Sequence, residues 1–108
     1  MITYKKGEEV MPTKVKTKKK VRGKFTVSNL YGLHTRPSTQ IARCALTFRS
    51  QIWLTDGKMQ INAKSIFGIL MLSARRGTNI QVIAHGEDAE DAVQALLHLA
   101  NEQFGVEY

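Results

Sequence analysis

At 108 residues the chain has room for one domain with a modest core, and its 43% hydrophobic and 23% charged content is that of a soluble globular fold. No apolar run approaches the roughly 20 residues needed to cross a bilayer, which excludes membrane insertion. The basic N-terminus lacks the hydrophobic stretch of a secretory signal, and the single cysteine, Cys44, excludes an internal disulfide; both predict a cytoplasmic protein.

The net charge of +7 suggests a polyanion partner until it is divided along the chain. Residues 1–24 hold nine Lys/Arg against Glu8 and Glu9, whereas residues 25–108 hold seven of each sign. On that division the excess sits in a leader and the remainder is neutral. The leader, residues 1–20, has little to bury and is predicted to be a disordered basic extension, within which Met11 offers an alternative start. The folded domain is predicted over residues 21–108.

Lys24 to Ser28 alternates, with Phe25 and Val27 on one side, and predicts a strand. A loop with Gly32 leads to His34, after which Ile41, Ala42, Cys44, Ala45 and Phe48 fall on one helical face. Pro37 is tolerated only in the first turn, so the helix starts close to His34. Ile52 and Leu54 alternate before Asp56-Gly57, and Met59 and Ile61 after it. This predicts a hairpin with a two-residue turn that sets Leu54 opposite Met59 and Ile52 opposite Ile61, with Trp53 and Gln60 on the other face.

Ser65 then caps a short helix built from Ile66, Phe67, Ile69, Leu70 and Leu72. Thr78 to Ala84 alternates with Ile80, Val82 and Ala84 inward. Asp88 is predicted to cap a last helix, with Asp91 in its first turn and a stripe of Ala92, Val93, Leu96, Leu97, Ala100 and Phe104. The order β-α-β-β-α-β-α predicts an α+β fold: a four-stranded antiparallel sheet with three helices on one face and Trp53 partly exposed on the other.

The chemistry concentrates in Gly32-Leu33-His34-Thr35-Arg36-Pro37-Ser38. A histidine at a helix N-terminus meets unpaired backbone N–H groups and the positive end of the helix dipole, which disfavours the imidazolium and favours an attached dianion. Arg36 is placed to add a charge-assisted bond to phosphoryl oxygens. Local physics alone leaves two readings open, a phosphoryl acceptor or a helix-capping histidine beside a surface arginine.

The segment Gly-Leu-His-Thr-Arg-Pro-Ser resembles the active-site signature of the HPr phosphocarriers, Gly-Leu-His-x-Arg-Pro followed by a small residue. Lys64-Ser65-Ile66-Phe67-Gly68-Ile69-Leu70 is similar to that family's regulatory-serine segment. The resemblance covers residues 21–108 and implies an HPr-like open-faced β-sandwich. It makes the protein a carrier rather than an enzyme, with His34 phosphorylated on Nδ1 and Arg36 stabilising the phosphoryl group. Enzyme I of the phosphoenolpyruvate-dependent phosphotransferase system would be the donor and enzyme IIA domains the acceptors. Thr35, Arg36, Thr39, Ile66, Phe67 and Leu70 would form the docking surface, of which at least one apolar member is expected to be buried. Ser65 becomes a regulatory site for an HPr kinase/phosphorylase.

An HPr paralogue serving a nitrogen-type or regulatory phosphorelay is the alternative within the family. A nucleic-acid-binding protein acting through its leader is the remote one. The neutral charge of residues 25–108, with no basic face or stacking aromatics evident in sequence, argues against nucleic acid. His34, Cys44, His85 and His98 lack metal-ligand spacing, so neither metal nor cofactor is predicted, and a carrier that docks with successive partners is expected to be a monomer.

Overall fold

A computed structural model of the chain describes residues 19–106 and 108; the predicted disorder of the leader and its alternative start fall on residues 1–18, outside the described residues. The elements in chain order are β1 (Lys19–Thr26), α1 (Thr35–Leu46), β2 (Gln51–Thr55), β3 (Gln60–Asn62), α2 (Ile66–Leu72), β4 (Asn79–Gly86) and α3 (Ala89–Asn101), with a closing 3₁₀ turn at Gln103–Gly105. The strands form one antiparallel sheet in the order β1-β4-β2-β3, with the three helices on one face, the α+β open-faced sandwich that the residue pattern predicts.

The inward side of the sheet carries Ile52, Leu54, Ile61, Ile80, Val82 and Ala84. Against it pack Ile41, Ala42 and Ala45 of α1, Ile69 and Leu72 of α2, and Ala92, Val93 and Leu96 of α3. Each full burial of a large aliphatic side chain stabilises the fold by about 1.5–3 kcal/mol before chain entropy is counted. Phe104 is fully buried and meets Phe25 edge-on at 5.6 Å between ring centres, tying the closing turn to β1.

The structure corrects four expectations. First, β1 begins at Lys19 rather than Lys24, because the eight-residue β4 offers a partner along its whole length, from Lys19 opposite Gly86 to Thr26 opposite Asn79. Its inward alternation is Val21, Gly23 and Phe25; a Cβ on Gly23 would come within 2.7 Å of Val93 Cγ1, so the glycine is what lets α3 lie close. Lys19, Lys20, Arg22 and Lys24, counted apart from the neutral remainder in the division at residue 24, therefore all stand on β1, and residues 19–108 hold eleven Lys/Arg against seven Asp/Glu rather than a neutral balance.

Second, the hairpin closes through four residues, not two. Leu54 stands opposite Ile61 and Thr55 opposite Gln60, which leaves Asp56 to Met59 as the loop. The Asp56 carboxylate accepts the N–H groups of Lys58 and Met59, each at 2.9 Å, and these bonds hold it below the usual carboxylate range. A side-chain turn of this kind competes with the tight Asp-Gly turn and shifts the register by two, leaving Met59 exposed.

Third, Asp88 precedes α3 but does not cap it. Its carboxylate accepts the N–H groups of Arg49 and Ser50, each at 2.9 Å, together with the Ser50 hydroxyl. The Ser50 hydroxyl is the largest influence holding the acid below its ordinary value. Asp88 thus anchors the α1–β2 connection to the start of α3. Fourth, α2 buries Ile69 and Leu72, while Leu70 is half-buried and Ile66 and Phe67 are exposed, so none of the three proposed docking residues is buried.

Candidate functional site

The loop from Asn29 to His34 is fixed by its own backbone. The Gly32 N–H donates to the Asn29 carbonyl at 3.0 Å and the Leu33 N–H to the Ala74 carbonyl at 2.9 Å. Gly32 sits at φ 71°, the left-handed region, and any Cβ there would collide with the Ala74 carbonyl. Leu33 is buried, and the Ser38 hydroxyl donates to its carbonyl at 2.9 Å. The chain thereby enters α1 at a set angle, with His34 extended at φ −79° and ψ −164° in the N-cap position.

His34 makes the backbone half of a cap only. Its carbonyl accepts the Ser38 N–H at 3.0 Å, but its side chain forms no capping bond. Pro37 has no N–H, so Thr35 and Arg36 supply the first-turn N–H groups left without an intrahelical acceptor. The half-buried imidazole lies between two aromatic rings. Tyr108 stacks on it at 5.7 Å and 15°, and Tyr31 meets it edge-on at 6.1 Å and 80°.

The main-chain oxygen of Tyr108 lies 3.1 Å from Nε2 of His34. A carbonyl oxygen only accepts, so Nε2 carries the proton in that contact, and in the neutral ring Nδ1 then holds the lone pair. Nη1 of Arg36 donates to the Tyr108 hydroxyl at 2.9 Å, and its guanidinium carbon lies 6.0 Å from the centre of that ring. Arg36 is otherwise exposed and stands on the same first turn as His34.

Asn29 and Tyr108 escaped sequence reasoning. Asn29 is fully buried, and its Nδ2 lies within hydrogen-bond reach of the carbonyls of Gln103 and Tyr108 at 3.1 Å and of Val106 at 3.3 Å. It clips the segment after α3 against the site loop and thus sets Tyr108 beside His34. A buried Asn in a loop was the only available signal, and nothing local links it to residues 74–79 positions away.

Ser65 behaves as predicted locally: its hydroxyl accepts the Gly68 N–H at 3.0 Å as the N-cap of α2. α2 packs beside α1, and Phe67 is 80% exposed, with Leu46 of α1 and Met71 of α2 also open to solvent. Thr35 is exposed, and the Thr39 hydroxyl donates back to the Thr35 carbonyl at 2.8 Å. Cys44 is half-buried, and burial pushes its thiol up, which suits a packing role rather than a reactive one. Among the described residues, no three His, Cys, Asp or Glu side chains cluster as metal ligands, and no helix is long and apolar enough to cross a membrane.

This sheet-and-three-helix frame with a histidine at the first helix's N-terminus defines the class of small phosphocarrier domains. A family model described as "PTS HPr component phosphorylation site" matches residues 21–102. The HPr of Neisseria meningitidis is 39% identical over 79 residues, covering 73% of this chain and 89% of that protein. The phosphocarrier protein NPr of Shewanella violacea is 33% identical over 85 residues, 79% of this chain and 93% of that one. The crystal structure of an HPr from Thermoanaerobacter tengcongensis superimposes with a TM-score of 0.77 at 36% identity, over 82% of this chain and 99% of that one. The chain belongs to the HPr family, the phosphocarriers of the phosphotransferase system.

Proposed function

We propose that His34 accepts a phosphoryl group on Nδ1 from phospho-enzyme I and passes it to enzyme IIA domains. The observation that carries this reading is the His34 ring itself, held at a helix N-terminus with its Nε2 satisfied by the Tyr108 oxygen and no capping bond from its side chain. In the transfer, the Nδ1 lone pair forms a bond to phosphorus as the donor's N–P bond breaks, and that electron pair returns to the donor nitrogen. The chain supplies position and charge rather than a substrate of its own. The first-turn N–H groups of Thr35 and Arg36 face the incoming anion, and the Arg36 guanidinium exchanges the neutral Tyr108 hydroxyl for phosphoryl oxygens, a stronger charge-assisted bond.

Docking falls to the surface around Thr35, Arg36, Thr39, Ile66, Phe67 and Leu70. An exposed aromatic beside an arginine suits the centre of a transient interface. Phosphorylation of Ser65 by an HPr kinase/phosphorylase would put a dianion at the start of α2, tolerated by the helix end yet adverse to docking beside it. The NPr relative supports a second reading, in which the donor and acceptors belong to a nitrogen-type or regulatory relay with the same chemistry at His34.

The test is transfer of label from phosphoenolpyruvate through purified enzyme I, comparing wild type with His34→Ala. Acid-labile, base-stable label on wild type alone is the expected result. Labelling only through a nitrogen-type enzyme I would select the second reading, and labelling of both proteins would displace His34 as the acceptor.

A further inference from the structure

The register of the sheet lays out three rows across its open face, on the side away from the helices. They run Lys20, His85, Gln51; then Arg22, Ile83, Trp53, Asn62; then Lys24, Gln81, Thr55, Gln60. Every row starts from a cation on β1, and the cations are spaced two strand rises apart, about 6.6–6.8 Å. All three are exposed, as are the four amide side chains, while Trp53 and Ile83 are half-exposed at the centre. None of the eleven positions is acidic. The acids that directly follow these strands in the chain are Glu87 after β4 and Asp56 after β2, at two corners of the face. Among the described residues no carboxylate pairs with Lys20, Arg22 or Lys24, whereas Lys19, on the helix side, reaches Glu90 at 3.7 Å.

The surroundings extend the same character. Lys64 and Asn62 line a shallow hollow against Trp53, and Arg49 and His85, with Glu87 at the edge, line another beyond Gln51. Lys14, Lys16 and Lys18 precede β1 in sequence. Three other acids of the domain, Glu90, Asp91 and Glu102, lie on and after α3.

We propose that this open face binds single-stranded nucleic acid, independently of the phosphocarrier site. The cation row follows an extended phosphate backbone, the indole of Trp53 offers a stacking platform, and the amides of Gln51, Gln60, Asn62 and Gln81 donate to and accept from base edges. An acidic protein would match the cations as well, and the polyglutamate arm of the test below separates it from a nucleic acid. A bilayer would need an apolar rim in place of the amides.

Trp53 is the chain's one tryptophan, so its emission reports on this face directly. The full-length protein is titrated with a labelled 12-nucleotide single strand of mixed sequence, reading both anisotropy and Trp53 emission over a salt series. The same titration is run on R22E/K24E, on W53L by anisotropy, and on K14A/K16A/K18A, each with its fold checked by circular dichroism. The expected result is saturable binding with quenched Trp53 emission, weakened at least tenfold in both R22E/K24E and W53L. Each cation removed should flatten the salt dependence by about 0.7 in the log–log slope. Absence of binding in low salt would overturn the proposal. So would binding lost in K14A/K16A/K18A but kept in R22E/K24E, which would assign it to the leader. Equal affinity for polyglutamate or for phosphatidylserine vesicles, with Trp53 emission unchanged, would point to an acidic protein or a membrane and would equally overturn it.

Discussion

Two helix N-termini in this molecule face opposite fates. At the start of α2, Ser65 spends its hydroxyl on the Gly68 N–H and closes the helix end. At the start of α1, His34 holds the same position without a side-chain cap, and its ring is turned to Tyr108 and Tyr31 instead. A serine cap contributes about 1 kcal/mol to stability. Leaving α1 without a side-chain cap forgoes that contribution and keeps an imidazole ring and free N–H donors at a place where an anion is welcome. On the proposed function, the difference teaches that one helix end is built for the fold and the other for chemistry.

The comparison breaks most sharply at the start of α1. His34→Ala should abolish phosphoryl acceptance and lower the melting temperature only slightly, because the ring makes no cap to lose and its contacts with Tyr108 and Tyr31 lie at the surface. Arg36→Ala should keep acceptance but slow it on the order of 10²-fold, the usual effect of removing one charge-stabilising donor, measured by rapid-quench transfer from phospho-enzyme I.

Asp88→Ala marks a third kind of helix start, an acid that ties two elements together. It strands the buried Ser50 and should cost about 1–3 kcal/mol in urea unfolding with transfer unaffected. The pH sign follows from the depressed acid. Asp88 stabilises the fold fully above its unfolded value near 3.9 and loses that contribution as pH falls through the lower folded value. Thermal melts between pH 2 and 6 should therefore drop less steeply for Asp88→Asn than for wild type.

Ser65→Ala should cost about 1 kcal/mol of stability without impairing acceptance, the mirror image of His34→Ala. The smallest effect is expected from Tyr108→Phe. It removes one hydrogen bond to Arg36 and should speed acceptance by about 2- to 10-fold, as the guanidinium no longer has to leave the phenol.

Much of this was legible in the sequence because it is local. Periodicity placed the helices and inward strand residues, Pro37 and the loop glycine placed His34 at a helix start, and Ser65 announced its cap. What stayed hidden depends on partners far along the chain. Lys19 to Lys24 look like more of a basic leader until β4 is seen to pair with them. Asp88 looks like a cap until Ser50 arrives from 38 residues earlier, and Asp56 shifts a hairpin by bonding its own loop. Tyr108 reaches His34 only because Asn29 clips the segment after α3. The division of charge at residue 24 failed for the same reason, since it is pairing with β4 that puts those cations on a strand.

The most direct test of the account is phosphorus-31 and nitrogen-15 NMR of the protein after transfer from phospho-enzyme I, since it reads the atom that takes the phosphoryl group. The account predicts a single phosphohistidine signal, coupled to Nδ1 of His34, absent from His34→Ala and present in Ser65→Ala. Phosphorus on Nε2, or on any residue other than His34, would contradict it.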